Sequence, residues 1–600
     1  MTSSSSDGHS IDSNDDLARH QVNRLEAPTP QSSNPNEKSS SPPSIKLGKQ
    51  VPLKDRRGLL SKLVITPEYE DAREYPNSIK YLIVTIVGLA AISGPMGTSI
   101  MLPAIDDITI NLNTQVSVVN LSVGVYLLAL GIFPLWWSAL SERNGRRSIY
   151  LVSFTMFLGF SIGTSLAPNI AGLIILRVFQ GGCSASVQAV GAGTISDLYE
   201  PHQRGRALGW YYLGPLMGPF LAPIIGGVVG EVWGWRATQW VLVIVSGCNV
   251  LLILFFLPET LRKSDNIQVL KDFINENVSN DGHVQIDDDT LSRIASITPN
   301  SIREEEENDE PILDFVMPSI SRLTTNRSTY SQKIKQKTLG RDLRKLMKKS
   351  IREGETSDRS WETFKTSAYD VCIRPLHSLV LLLYPPVLLV ISYSGICFAV
   401  IYFFNLTITN EYSLEPYRFN QIIVGLLYIP NSVTYILASI IGGRWIDHLL
   451  RKYALSHNGE LAPESRLSWN VVLAVALMPP ACLIFGWTLD YGLHWAIPLI
   501  GTALFGFASM LLIGATVTYL VDTLPGKGAT GIALNNLIRQ ILAAIASFVV
   551  KPLLNAIGPG ILFSILMGIT TVCSIALIYV KRNGDHFREK YDLSKLYEKL

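Results

Sequence analysis

Apolar residues run along this chain in stretches of about twenty or more, separated by short polar joints. Twenty is roughly the length a helix needs to cross the hydrocarbon core of a bilayer. Twelve stretches qualify, some after a longer run is split at a turn. Six lie near 80–104, 116–138, 149–168, 170–192, 206–229 and 237–257, and six near 378–404, 420–441, 469–489, 495–519, 529–553 and 560–580. The polar stretch between the sets contains "REEEENDE" and "KKSIREGE", too charged to cross, and reads as a mostly disordered linker with a helix near 340–352. The Ser-, Pro- and Asn-rich start ("PQSSNPNEKSSSPPS") predicts a disordered tail. The expected organisation is all-α and membrane-spanning. A tail (1–75) precedes a six-helix half (80–260), a linker (261–375), a second half (376–581) and a short final tail (582–600).

Basic residues orient the spans. Arg143, Arg146 and Arg147, then Arg204 and Arg206, then Arg444, Arg451, Lys452 and Arg466 follow spans two, four and eight, whereas the opposite joints are acidic. Both termini and the linker are therefore expected on the cytosolic side, and the sequon at Asn405 on the other. No apolar signal segment opens the chain, so the first span is expected to target it. The joints also echo each other: "SALSERNGRR" after span two and "GGRWIDHLLRK" after span eight each place a carboxylate, Glu142 or Asp447, before basic residues. Two repeats joined by a linker is a layout of transporters whose substrate binds between the repeats.

Composition agrees, with 48% hydrophobic and 17% charged residues and a net charge of +2, which gives no support to nucleic-acid binding. The six cysteines read as packing residues rather than a disulfide framework. No P-loop, nucleophile elbow or metal-spaced His cluster is present, so neither an enzyme nor a cofactor or metal site is expected. Energy must then come from a gradient.

Span five carries "GPLMGPFLAPIIGG", with small residues at 214, 218, 222 and 226 and prolines at 215, 219 and 223. Spacing of four keeps Gly214, Gly218, Ala222 and Gly226 near one face, where small residues admit another helix at close range. Pro215, Pro219 and Pro223 remove three N–H donors, so the helix is expected to be packed inside protein, weakened at three turns, and able to rock as a body. This stretch, ending in Gly226 and Gly227, resembles the span-five motif of proton-driven antiporters of the major facilitator superfamily. "SERNGRR" resembles that superfamily's signature between spans two and three, and "RVFQGG" its span-four Arg motif. "GWR" and "LPETLR" match the fungal twelve-span branch, and "FPLWWSALSERNGRRSIYLVSF" with the long linker is most similar to its quinidine-resistance drug:proton antiporters. The resemblance covers about 80–260 and 375–580. The signature departs from the usual pattern at Ser138 and Glu142.

The resemblance implies the major facilitator fold and a cytosolic latch around Gly145 and Arg147. In it, Glu142 docks near Thr530 at the start of span eleven, and Arg143 or Arg146 pairs with Asp197. Arg177 lies about eight residues into span four, about 12 Å deep at 1.5 Å per residue, and a charge at that depth marks a functional site. The resemblance implies that it couples proton movement, beside Gln180 and Gly181. Arg539 in "NNLIRQ" is buried similarly, with Asn535 and Asn536 one turn earlier. No Asp or Glu lies mid-membrane; the nearest are Asp106, Asp107, Asp197 and Asp522, of which Asp106 is a candidate to face Arg177. Two buried arginines without a buried acid favour anions, zwitterions or neutral amphiphiles, against the organic cations that the family implies. Tyr211, Tyr212, Tyr393, Phe398, Tyr402, Tyr428 and Tyr435 are candidate cavity rings, and Asn431 beside Pro430 marks an expected break in span eight.

The expected function is export of small organic molecules, such as drug-like amphiphiles, polyamines, weak acids or dityrosine-like metabolites. Inward proton flow drives it, by a monomer in a fungal plasma membrane or, alternatively, a prospore or vacuolar membrane. A nutrient uniporter or importer and a transporter-like sensor are the alternatives.

Overall fold

In lipid every backbone polar group must be satisfied within its own segment, which leaves the helix as the form for these apolar runs. The computed structural model describes residues 50–261 (bar 55, 70 and 200), 374–456, 463–467, 469–524, 528–591, 593 and 596. Among them there is no strand beyond one isolated bridge, Gln50 to Tyr69. Expectations on 1–49 and 262–373, including the helix near 340–352 and Cys372, lie outside the described residues.

The first half comprises α1 (Asn77–Asn111), α2 (Val116–Ser141), α3 (Arg146–Ser165), α4 (Ile170–Leu198), α5 (Ala207–Trp233) and α6 (Trp235–Phe256). The second begins with α7 (Pro385–Tyr412), α8 (Gln421–Gly442), α9 (Trp469–Asp490) and α10 (Ala496–Thr523). A continuous run, Thr530–Gly584, completes it. At Gly558 that run turns into left-handed backbone (φ 73°), so it is two crossings, α11 before the glycine and α12 after it. Pro559 then opens α12, where a missing N–H costs nothing. Twelve crossings result, as the apolar pattern predicts.

Some boundaries differ from expectation. Span seven starts at Pro385 rather than near 378, after a 3-10 run over Arg374–Leu383, because the Pro385–Pro386 pair is suited to a helix's first turn. The break in span eight falls at 427–428, and Pro430 is the second residue of the helix that follows. The described residues between 50 and 75 also differ from a disordered tail. They lie across the ends of α3 and α6, with the Ile65 N–H donating to the Phe255 carbonyl (2.7 Å) and Thr66 Oγ1 to that of Phe256 (2.9 Å). Buried Glu68 pairs with Arg57 at 2.9 Å. The serine- and proline-rich signal belongs to residues before this segment.

Helices approach most closely where glycine removes the side chain. A Cβ on Gly214 or Gly226 would collide with the carbonyl of Gly88 or Ile100, and one on Gly218 would lie 2.8 Å from Pro95. The small-residue face of α5 is therefore seated on α1, within one half. Its end reaches the other half, where a Cβ on Gly227 would strike the Gln421 carbonyl and one on Gly425 the carbonyl of Pro223. A second seam joins α2 to α11, with Gly124 against Ser547 and Phe548 and Gly131 against Gln540. The second half is held internally by Phe404, whose ring lies 4.5–4.7 Å from those of Phe485, Phe505 and Phe563.

Candidate functional site

Arg177 is wholly buried in α4. Its Nη1 donates to the Gly97 carbonyl (2.8 Å) and to Gln180 Oε1 (3.1 Å), and its guanidinium carbon lies 4.3 Å from the centre of the Tyr126 ring. Gln180 in turn donates to Ser161 Oγ at 2.9 Å and sits 3.5 Å from Gln239 Oε1. Tyr126 hydrogen-bonds the Gly94 carbonyl and the Ser184 hydroxyl, both at 3.0 Å. Five helices thus meet at one cation. The glycines of "RVFQGG" make this possible, since a Cβ on Gly181 would lie 2.6 Å from the Tyr126 carbonyl.

Among the described residues, no carboxylate joins this cluster. Asp106 is half-buried at the end of α1, with no hydrogen bond or ion pair to Arg177. Its neighbour Asp107 accepts from the Trp235 N–H at 2.9 Å and so caps α6. Nε and Nη2 of Arg177 have no hydrogen-bond partner among the described residues. A desolvated cation with spare donors is costly to hold unless a ligand or water completes it.

Across the interface, Arg539 of α11 is buried, with its guanidinium carbon 4.3 Å from the Phe398 ring centre. Phe398 packs edge-on against Tyr402 at 5.4 Å. Tyr402 meets Thr98 of α1 and lies within electrostatic reach of both Tyr126 and Arg539, between the two arginine clusters. Tyr435 neighbours Tyr402, Arg539 and Asn431, which extends the group to α8. Asn535 is fully buried, and neither atom of its amide has a partner. Asn536 donates to Gln188 Oε1 of α4 at 3.3 Å, a polar contact between the halves.

The other candidate cavity tyrosines lie apart. Tyr211 donates to the Val187 carbonyl (3.0 Å) inside the first half. Tyr393 faces Met478 at 3.8 Å within the second. Tyr428 spends its hydroxyl on the Asn405 carbonyl (2.6 Å) and Thr409 (2.7 Å). A ring pattern does not say which way each ring turns.

At the end of α2 the side chains of Glu142 and Arg143 lie outside the described residues. Gly145 takes left-handed backbone (φ 91°), and Arg146 Nε meets Asp197 Oδ2 at 3.1 Å with both side chains buried. Arg147 donates to the carbonyls of Ile253 (2.7 Å), Leu254 (3.0 Å) and Leu257, the last turn of α6, where a cation is favoured. Glu259, quoted above only within "LPETLR", lies under this loop. Its Oε1 accepts from the N–H groups of Arg146 (2.9 Å), Thr260 (3.0 Å) and Leu261 (3.0 Å). Burial raises its pKa, and the three N–H bonds and Arg57 only partly oppose that rise. The second half repeats the ion pair, with Arg466 Nε 2.8 Å from Asp522 Oδ2 at the end of α10. Sequence reasoning missed this pairing and the place of Tyr126, although a lone tyrosine between Gly124 and Gly131 in an aliphatic run was a usable signal for the latter.

The model of the Major Facilitator Superfamily matches residues 87–547. The chain is 58% identical over 595 residues to the MFS antiporter QDR3 of Candida albicans, covering 93% of this chain and 85% of that one. It is 45% identical over 618 residues to quinidine resistance protein 3 of Saccharomyces cerevisiae, covering 92% and 89%. In fold it is similar to the proton:xylose symporter XylE bound to 6-bromo-6-deoxy-D-glucose, with a TM-score of 0.50 and 13% identity over 85% of this chain and 96% of that one. Twelve crossings, repeated ion pairs and these likenesses together identify a multi-pass membrane transporter that belongs to the Major Facilitator Superfamily, in its fungal quinidine-resistance group.

Proposed function

We propose that this chain is a proton-coupled antiporter that exports quinidine-like amphiphiles by alternating access, as a monomer in the plasma membrane with both termini cytosolic. The observation that carries this reading is the buried Arg177, held by Gly97, Gln180 and Tyr126 and keeping two donors unspent. Substrate binds between the halves against Tyr402, Tyr435, Phe398 and Arg539, where rings suit flat amphiphiles. Arg177 and Gln180 form the coupling centre, and Asp106 carries the proton at the mouth of α1. Arg146 with Asp197 latches the cytosolic end of the first half, and Arg466 with Asp522 does the same for the second. Because Arg177 is held by a carbonyl, an amide and a ring rather than by an acid, substrates bearing an acidic or neutral polar group are expected to be handled along with bases.

The test is transport by purified protein in vesicles, with and without an imposed proton gradient, using base, zwitterion and acid members of one compound series. Accumulation against the compound's own gradient, only when protons run the other way, is the expected result. Transport indifferent to the proton gradient would make the chain a uniporter.

A further inference from the structure

The segment ahead of α1 is fixed to α3 and α6 by contacts that the transport reading does not use. Its backbone is tied to the level at which two spans leave the membrane. Ile65 N–H binds Phe255, Thr66 Oγ1 binds Phe256, the Leu59 N–H donates to Ser148 Oγ (3.1 Å), and the Leu59 and Leu60 carbonyls accept from Arg147 (3.2 and 3.3 Å). The first two contacts are to the last turn of α6 and the others to the first turn of α3. Leu53, Leu59, Leu60, Leu63 and Ile65 are nonetheless turned outward, Ile65 with 68% of its surface open. Apolar patches of this kind mark an interaction site. On the two helices it is tied to, Val152 and Met156 of α3 and Ile244 and Leu251 of α6 are likewise exposed apolar residues.

The charges complete the pattern. Lys54 and Lys62 are exposed, Arg56 and Arg57 half-buried, and Glu68 is buried and already paired with Arg57. Outward leucines among lysines and arginines suit the boundary between acyl chains and anionic headgroups, where long basic side chains reach up to the phosphates.

We infer that Leu53, Lys54 and residues 56–65 form an interfacial strap whose leucines dock in the leaflet over the ends of α3 and α6, and whose basic residues select anionic lipid. The same strap supplies carbonyls to Arg147, so lipid contact and the signature loop share one element. The docking does not depend on which compound is transported.

The test uses the full chain with Cys248, Cys372 and Cys573 replaced by serine, carrying a nitroxide at Leu63→Cys or, separately, Ile65→Cys. Proteins are reconstituted in phosphatidylcholine with or without phosphatidylserine. Both positions are surface-exposed, and Ile244→Cys in α6 serves as the lipid reference. Collision with oxygen is expected to exceed collision with a water-soluble nickel complex at 63 and 65, as at 244, and nickel access is expected to rise when phosphatidylserine is omitted. Nickel exceeding oxygen at both sites would place the strap in water and overturn the inference. Low access to both reagents would mean that protein covers it, which also overturns it. Identical values in the two lipid mixtures would overturn the selection of anionic lipid.

Discussion

The guanidinium of Arg177 stands over the ring of Tyr126, 4.3 Å from its centre, and the hydroxyl of that ring is fixed to Gly94 on one side and Ser184 on the other. The cation is thus held by a side chain that is itself held by α1 and α4, so movement of either helix is felt at the charge. A cation on a ring is worth about 2 kcal/mol when the site is dry. Tyr126→Phe keeps the ring and should lower gradient-driven transport only several-fold. Tyr126→Leu removes it and should lower transport by more than about tenfold. Equal effects in a vesicle transport assay would assign the role to the hydroxyl instead.

The ion pairs Arg146–Asp197 and Arg466–Asp522 differ in burial, and their variants should differ in consequence. Asp197 is fully buried against Arg146, whereas Asp522 keeps 21% of its side chain open beside Arg466. Removing one member of a buried pair costs about 3–5 kcal/mol, and solvent softens the loss where one partner is partly open. Asp197→Asn should lower the thermal midpoint in detergent more than Asp522→Asn. Equal losses or the reverse order would show that burial does not set the cost of breaking these pairs.

Glu259 sets a pH dependence. Burial raises its folded-state pKa above the ordinary carboxylate range. Its protonated form is therefore the better accommodated one. Its contribution to stability is full below the pKa of the unfolded chain and is lost as pH rises through the folded value. Thermal midpoints measured upward from pH 4 should fall more steeply for the native chain than for Glu259→Gln. Parallel curves would mean that the three N–H donors carry a full negative charge here without cost.

Adjacent glycines in α5 serve different contacts. Gly226 faces Ile100 within the first half, and Gly227 faces Gln421 across the interface. Overpacking a tight contact costs about 1–3 kcal/mol. Gly226→Ala should appear as lower thermal stability. Gly227→Ala should instead part the halves near Gln421, whose N–H donates to Glu231 Oε2 at 2.9 Å. A longer distance between spin labels at 229 and 423 is expected in Gly227→Ala, and an unchanged distance would contradict the cross-half contact.

Much of the fold was legible because apolar length and helix breakers act locally. Even the division between α11 and α12 follows from Gly558 and Pro559 side by side. The burial of Arg177, Gln180 and Arg539 was legible, because each lies deep in an apolar run, and a charge or amide there makes a candidate site. Partners were harder to read. Nothing along the chain joins Arg466 to Asp522, or turns Tyr402 toward Arg539 while Tyr393 faces Met478. Those relations depend on the rotation of helices about their axes, which close contacts such as Gly181 on Tyr126 decide only once the halves are assembled. The order of residues 50–75 was hidden for a similar reason, since its bonds are to α3 and α6, far away in the chain.

The central claim is that Arg177 couples substrate to protons, and it is tested most directly by proton movement itself. Vesicles loaded with a pH-sensitive dye, and carrying either the native chain or Arg177→Ala, would receive quinidine with no gradient imposed. The native chain should produce an immediate, quinidine-dependent change in lumenal pH, while Arg177→Ala, still folded and still binding quinidine, should produce none. A pH change of equal size in Arg177→Ala would contradict the account and place the coupling elsewhere.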